Sequence, residues 1–220
     1  EESAVPLRPF IAWKERELMK QANASAERFS KGKPLGILDG VPVSVKDELD
    51  MLPFKTMIGT RFYSNNPPEQ DATSVARLRS AGALMVGKTN MHEIGLGVTG
   101  LNIQCGTTRN PHHLDHYPGG SSSGSAAAVA AGLSPIALGC DGGGSIRIPA
   151  SLCGVVGLKT TWGRISTAGS APLHWSIGSV GPITSTSLDA AIAYSFLAGP
   201  DTRQSCTQNQ PAVDLKNIEN

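Results

Sequence analysis

The chain has 220 residues, of which 40% are hydrophobic and 17% charged, and its formal net charge is +1. Such a length and balance describe a globular protein with a real core, in one large domain or two small ones, and exclude a disordered chain. No cluster of Lys and Arg supports a nucleic-acid groove, and no apolar run approaches the roughly 20 residues that cross a bilayer.

In chain order, residues 12–30 (AWKERELMKQANASAERFS) carry an amphipathic helix pattern that stops near Gly32. Asn23-Ala24-Ser25 within it fits a glycosylation sequon, a match short enough to arise by chance. GILDGVPVSVKDELD then predicts a short strand, a turn at Asp39-Gly40 and a second strand. Val41, Val43 and Val45 alternate with Pro42, Ser44 and Lys46, so a period of two puts Ser44 and Lys46 on the face opposite the valines. A capped helix over 71–82 and an apolar strand over 83–88 come next, followed by a second such pair, SAAAVAAGL and SPIALGC. Helices alternating with apolar strands predict an α/β architecture. From Pro200 the sequence turns polar, which predicts a folded core over 1–200 and a loop or frayed tail over 201–220.

Cys105, Cys140, Cys153 and Cys206 form no CxxC pair and have no histidine at ligand spacing. Reduced, mostly buried thiols are expected, and neither a metal nor a cofactor is implied.

Two glycine–serine loops concentrate the chemistry. In YPGGSSSGSAAAVAAG, residues 117–132, a permissive backbone runs straight into a helix start. The apolar sequence behind it makes this a turn inside a fold and not a linker. A phosphate loop would need GK[ST] after the glycines, and here Gly-Ser-Ala-Ala follows. In GCDGGGSIRIP, residues 139–149, three consecutive glycines let successive N–H groups turn inward as a nest, which acyl transfer uses to stabilise an oxyanion. Ser145 closes that nest as a candidate nucleophile, and Asp141 and Arg147 flank it as a bracing ion pair.

A serine nucleophile needs a base. His92, His112, His113, His116 and His174 make a Ser-His-Asp triad formally available, although no G-x-S-x-G elbow surrounds the serine. The other arrangement is serine–lysine, with Lys46 at the end of its strand.

These segments, together with GVPVSVKDELD, LMVGKTNMHEIGLG and GTTRNPHH in that order, resemble the amidase signature family from about Leu35 to Ala198. GGSSSGSA and DGGGSIRIPASLCG look most like its plant-type fatty acid amide hydrolase branch. The resemblance implies an α/β fold with a mixed, twisted β-sheet core flanked by α-helices. It also implies that the family's long C-terminal portion, which completes the sheet and pocket, is absent beyond FLAGPD.

By the same resemblance Ser145 is the acyl-forming nucleophile, Ser121 the bridging hydroxyl on a cis peptide bond, and Lys46 the general base. The N–H groups of Gly142, Gly143, Gly144 and Ser145 are the oxyanion donors. Ser122 is placed to hydrogen-bond around the lysine, with turn packing as its alternative role, and Gly95 lies in a segment that lines the site. Lysine can act as a base only in its neutral form, which burial away from carboxylates favours. Strand alternation sends the acidic neighbour Asp47 to the opposite face and Glu48 and Asp50 fall beyond the strand end, so Lys46 is expected to contact Ser121 and backbone groups with no carboxylate in salt-bridge reach.

The implied reaction is hydrolysis of a lipid amide such as an N-acylethanolamine. A small-amide amidase, the glutaminase subunit of an amidotransferase, and a binding-only product stand as alternatives. The partner is then a small-molecule or lipid amide and no nucleic acid, with peripheral membrane association, a homodimer and an intracellular setting as accompanying expectations.

Overall fold

A computed structural model describes residues 6–63, 67–173 and 175–215. Among these residues six strands form one mixed sheet. They are β1 (Phe10–Trp13), β2 (Pro42–Lys46), β3 (Leu84–Thr89), β4 (Ile136–Asp141), β5 (Val156–Gly157) and β6 (Ser179–Thr184). The sheet order is β1-β3-β2-β4-β6-β5. Its centre, β3-β2-β4, is parallel, and β1, β6 and β5 join antiparallel. The α-helices are α1 (Glu15–Ser30), α2 (Thr73–Ser80), α3 (Ser123–Ala130), α4 (Arg147–Cys153) and α5 (Ser187–Leu197).

Parallel central strands are covered on both faces, and β2 is accordingly buried from Val43 to Lys46. On one face Val43, Val45, Leu138 and Val180 pack with Val75 and Leu78 of α2 and Ala193 and Leu197 of α5. On the other, Ala137 and Ile183 pack with Ala126 and Val129 of α3 and Ile146 and Cys153 near and in α4. The valines of β2 therefore face the first core. On the opposite side Ser44 Oγ lies 2.7 Å from Ser134 Oγ and Lys46 reaches Ser121, as the alternation requires.

Three elements differ from the sequence expectations. Residues 10–13 are a strand, because Phe10 pairs with Thr89 and Trp13 with Gly87, and the first helix starts only at Glu15. The short strand expected before Asp39 is a run of turns, with Asp39 N–H bonded to Gly36 O (3.1 Å) and Val41 N–H to Leu38 O (3.1 Å). The helix expected over 71–82 spans Thr73–Ser80, and its Ala72 N-cap supplies no side-chain cap. Ser25 of the sequon is buried on α1 and donates to Asp39 Oδ1 (2.8 Å).

Among the described residues beyond Pro200, Asp201 is tied to the core. Asp201 accepts from Thr73 Oγ1 and from Ser166 Oγ, the latter at 2.5 Å.

Candidate active site

Three segments converge at the C-terminal ends of β2 and β4. Lys46, the last residue of β2, is fully buried. Its Nζ donates to Ser121 Oγ at 2.8 Å and to the Cys140 carbonyl at 3.4 Å. Ser121 sits one residue ahead of the α3 N-cap, and the Gly120–Ser121 peptide bond is cis. Gly119, with φ of 83°, provides the left-handed backbone that starts this turn. Its own packing is tight, because a Cβ there would come within 2.8 Å of the Pro149 Cα.

α3 behind the turn is lined with Ala126, Ala127 and Ala128, all fully buried, so it packs close and fixes the serine backbone. Ser122 Oγ donates to the Cys140 carbonyl (3.3 Å), the same acceptor that Lys46 uses, and Ser122 N–H donates to Ser145 O (3.1 Å). The first glycine–serine loop is thus bonded directly to the second.

The second loop is organised by Asp141. Its buried carboxylate accepts from Gly144 N–H (2.6 Å), Ile146 N–H (3.1 Å) and Arg147 N–H (3.4 Å), and forms a two-pronged pair with the Arg147 guanidinium at 3.0 Å on each prong. Burial acts to raise the Asp141 carboxyl, but Arg147 and these N–H groups prevail and hold it below the usual carboxylate range. The expected ion pair is present. One expected oxyanion donor is corrected, since the Gly144 N–H is directed at Asp141. Gly142 and Ser145 line the cavity, and Gly143 is exposed.

A second correction concerns the surroundings of Lys46. Glu48 Oε2 lies 2.8 Å from Lys46 Nζ, and both side chains are buried. The strand ends at Lys46, and a turn closed by Leu49 N–H to Lys46 O (3.0 Å) brings Glu48 back over it. Asp47 does take the opposite face, where it meets the fully buried Lys88 at 3.4 Å. Burial pushes the Asp47 carboxyl up and the Lys88 amine down, each against the attraction of its partner. Asp50 accepts from Thr56 Oγ1 (2.7 Å).

Ser121, Ser145 and Glu48 share a cavity of about 130 Å³, with Gly95, Cys140, Ser170, Pro172 and Trp175 also on its walls. A second concavity of about 340 Å³, formed by Leu173, Ser176 and Ile177, adjoins it through Pro172 and Trp175. No histidine is among the cavity residues described. His92 Nδ1 lies 3.5 Å from Thr99 Oγ1, and His112 Nε2 lies 2.9 Å from the Cys153 carbonyl. His174 is outside the described residues.

Residues 9–219 match the amidase family model. Fatty acid amide hydrolase of Arabidopsis thaliana is 50% identical over 88% of this chain and 32% of its own length. A glutamyl-tRNA(Gln) amidotransferase subunit from Syntrophobacter fumaroxidans is 46% identical over 90% of this chain and 42% of its own length. The native peptide amidase structure from Stenotrophomonas maltophilia superposes with a TM-score of 0.90 at 37% identity, covering 97% of this chain and 44% of that one. The chain thus spans about a third of the length of the plant relative it matches.

Proposed function

Since this chain belongs to the amidase family, we propose that it hydrolyses carboxylic amides through an acyl-enzyme on Ser145, with Ser121 as the bridging hydroxyl and Lys46 as the base. The observation that carries this reading is the buried 2.8 Å contact from Lys46 Nζ to Ser121 Oγ, made beside the cavity that Ser145 lines.

As Ser145 Oγ attacks the amide carbonyl, its proton passes to Ser121 while the Ser121 proton passes to neutral Lys46. The carbonyl oxygen gains negative charge and is held by the N–H groups of Gly142, Gly143 and Ser145, while Gly144 keeps the loop in shape through Asp141. The C–N bond then breaks as the amine nitrogen takes the proton back from Ser121, which is replenished by Lys46. Water repeats the sequence on the ester and releases the acid.

We assign the substrate to fatty acid amides such as N-acylethanolamines, in keeping with the plant relative. The cavity beside Ser145 is smaller than the ~300–1,000 Å³ of pockets that enclose a whole drug-sized ligand. It holds the amide and the first carbons of an acyl chain. A longer chain continues over Trp175 into the concavity of Leu173 and Ile177. The amidotransferase relative supports glutamine as a second reading.

Assay of the full-length chain on an N-acylethanolamine, a short aliphatic amide and glutamine separates these readings. The expected result is the highest kcat/KM on the N-acylethanolamine. Preference for glutamine or the short amide overturns the substrate assignment, and turnover of none overturns the reaction.

A further inference from the structure

Lys46 is hidden from the cavity, while Ser121 and Glu48, both hydrogen-bonded to its Nζ, line the cavity wall. The three N–H groups of a protonated lysine have three acceptors here: Ser121 Oγ, the Cys140 carbonyl and Glu48 Oε2. That arrangement suits the second half of the reaction, when Lys46 gives up a proton through Ser121. It does not suit the first half, when Nζ must offer a lone pair. Resting on the reading of Lys46 as base, we infer that Glu48 is a positioning residue that holds the proton Lys46 must shed before acylation begins.

The step balances within the pair. An Nζ–H bond breaks, a Glu48 O–H bond forms, and the ion pair becomes a neutral amine beside a carboxylic acid. No charge enters or leaves the site. The amine then takes the proton of Ser121 as Ser145 attacks, and Glu48 remains protonated until the cycle ends. At 2.8 Å between Nζ and Oε2, with both side chains buried, the proton moves within one hydrogen bond and needs no bulk water to carry it.

Other groups nearby are committed elsewhere. Asp47 pairs with Lys88, Asp50 accepts from Thr56, and Asp141 pairs with Arg147. The Cys140 thiol is pushed up by burial and by the adjacent Glu48 carboxylate, so it stays protonated and supplies no base. The main chain of Glu48 is fixed independently, its carbonyl accepting from Ala171 N–H at 2.9 Å. Replacing the side chain therefore leaves the loop anchored.

The test uses the full-length chain and a fluorophosphonate probe along with amide turnover. In Glu48→Gln, which keeps the shape and cannot take up the proton, the acid limb of kcat/KM moves to higher pH by about one unit or more. Turnover at neutral pH falls about tenfold or more, within the range a proton-transfer group contributes, with near-parent turnover at alkaline pH and little change in KM. Glu48→Asp, which can still hold the proton, keeps the limb closer to the parent's. In Glu48→Ala added formate, small enough for the vacated cavity wall, restores turnover at neutral pH, and this arm decides the matter if the Gln variant does not fold. A limb that stays in place or moves to lower pH, or a folded Ala variant that formate does not rescue, overturns the inference. Absence of probe on Ser145 in the parent would instead refute the acyl-enzyme reading beneath it.

Discussion

Replacing Asp141 by alanine separates the brace of the nest from its chemistry. The carboxylate is buried and accepts three backbone N–H groups, of which the Gly144 and Ile146 contacts at 2.6 and 3.1 Å are the strongest. Leaving a buried donor unpaired costs about 1–3 kcal/mol, so these two account for a loss of roughly 2–6 kcal/mol. The Arg147 side chain is 53% exposed and can turn to water, so its pairing adds less than about 1 kcal/mol. The expected destabilisation is therefore about 4 kcal/mol at neutral pH, measured by urea unfolding followed by circular dichroism.

The sign of the pH dependence is fixed as well. Asp141 sits below its unfolded carboxyl value of about 3.9. Its stabilisation is complete above that value and is lost as pH falls through the lower, folded value. The gap between parent and Asp141→Ala must narrow below about pH 4. Turnover should fall by more than the loss of folded fraction explains, since Gly144 is free to swing. A loss under about 1 kcal/mol, or a gap that widens in acid, refutes the argument.

Lys46→Ala should lower the acylation rate at neutral pH by about two to four orders of magnitude, with partial recovery at alkaline pH as hydroxide replaces the amine; stopped-flow probe labelling across pH checks this. Gly95→Ala places a Cβ 2.9 Å from Leu173 Cδ1 on a backbone with φ of 72°, so kcat/KM should shift toward short acyl chains by about tenfold, the effect of a methylene in a tight pocket, as a chain-length series reads out. Lys88→Met leaves the buried Asp47 without its cation and should cost about 3–5 kcal/mol, seen as a lower unfolding midpoint with the pH profile of turnover unchanged.

The sequence showed most clearly what local geometry controls. Lys46 could be placed because period-two alternation alone decides which face a strand residue takes, and Ser44 and Lys46 do share the face away from Val43 and Val45. The glycine–serine loops were readable because Gly119 needs a left-handed φ and the alanines behind it form a close-packed helix. β1 was missed because its pairing with β3 joins residues more than seventy positions apart, and Ala12-Trp13 alone read as the apolar start of the helix expected over 12–30. α4 left little signal because it is short and carries Pro149 in its first turn, where a missing N–H is tolerated. Glu48 could not be placed by alternation, since the turn after Lys46 reverses the chain and a bond from Ala171, 123 positions on, sets its direction.

Trapping the acyl-enzyme identifies the nucleophile directly. The full-length chain is mixed with a long-chain acyl amide, quenched in acid within the first turnover and digested for peptide mass spectrometry. One acyl group is expected on the peptide containing Ser145, mapped to that serine and absent in Ser145→Ala. Acyl mass on Ser121, Ser122 or a cysteine in the parent, or turnover that survives in Ser145→Ala, would contradict Ser145 as the nucleophile.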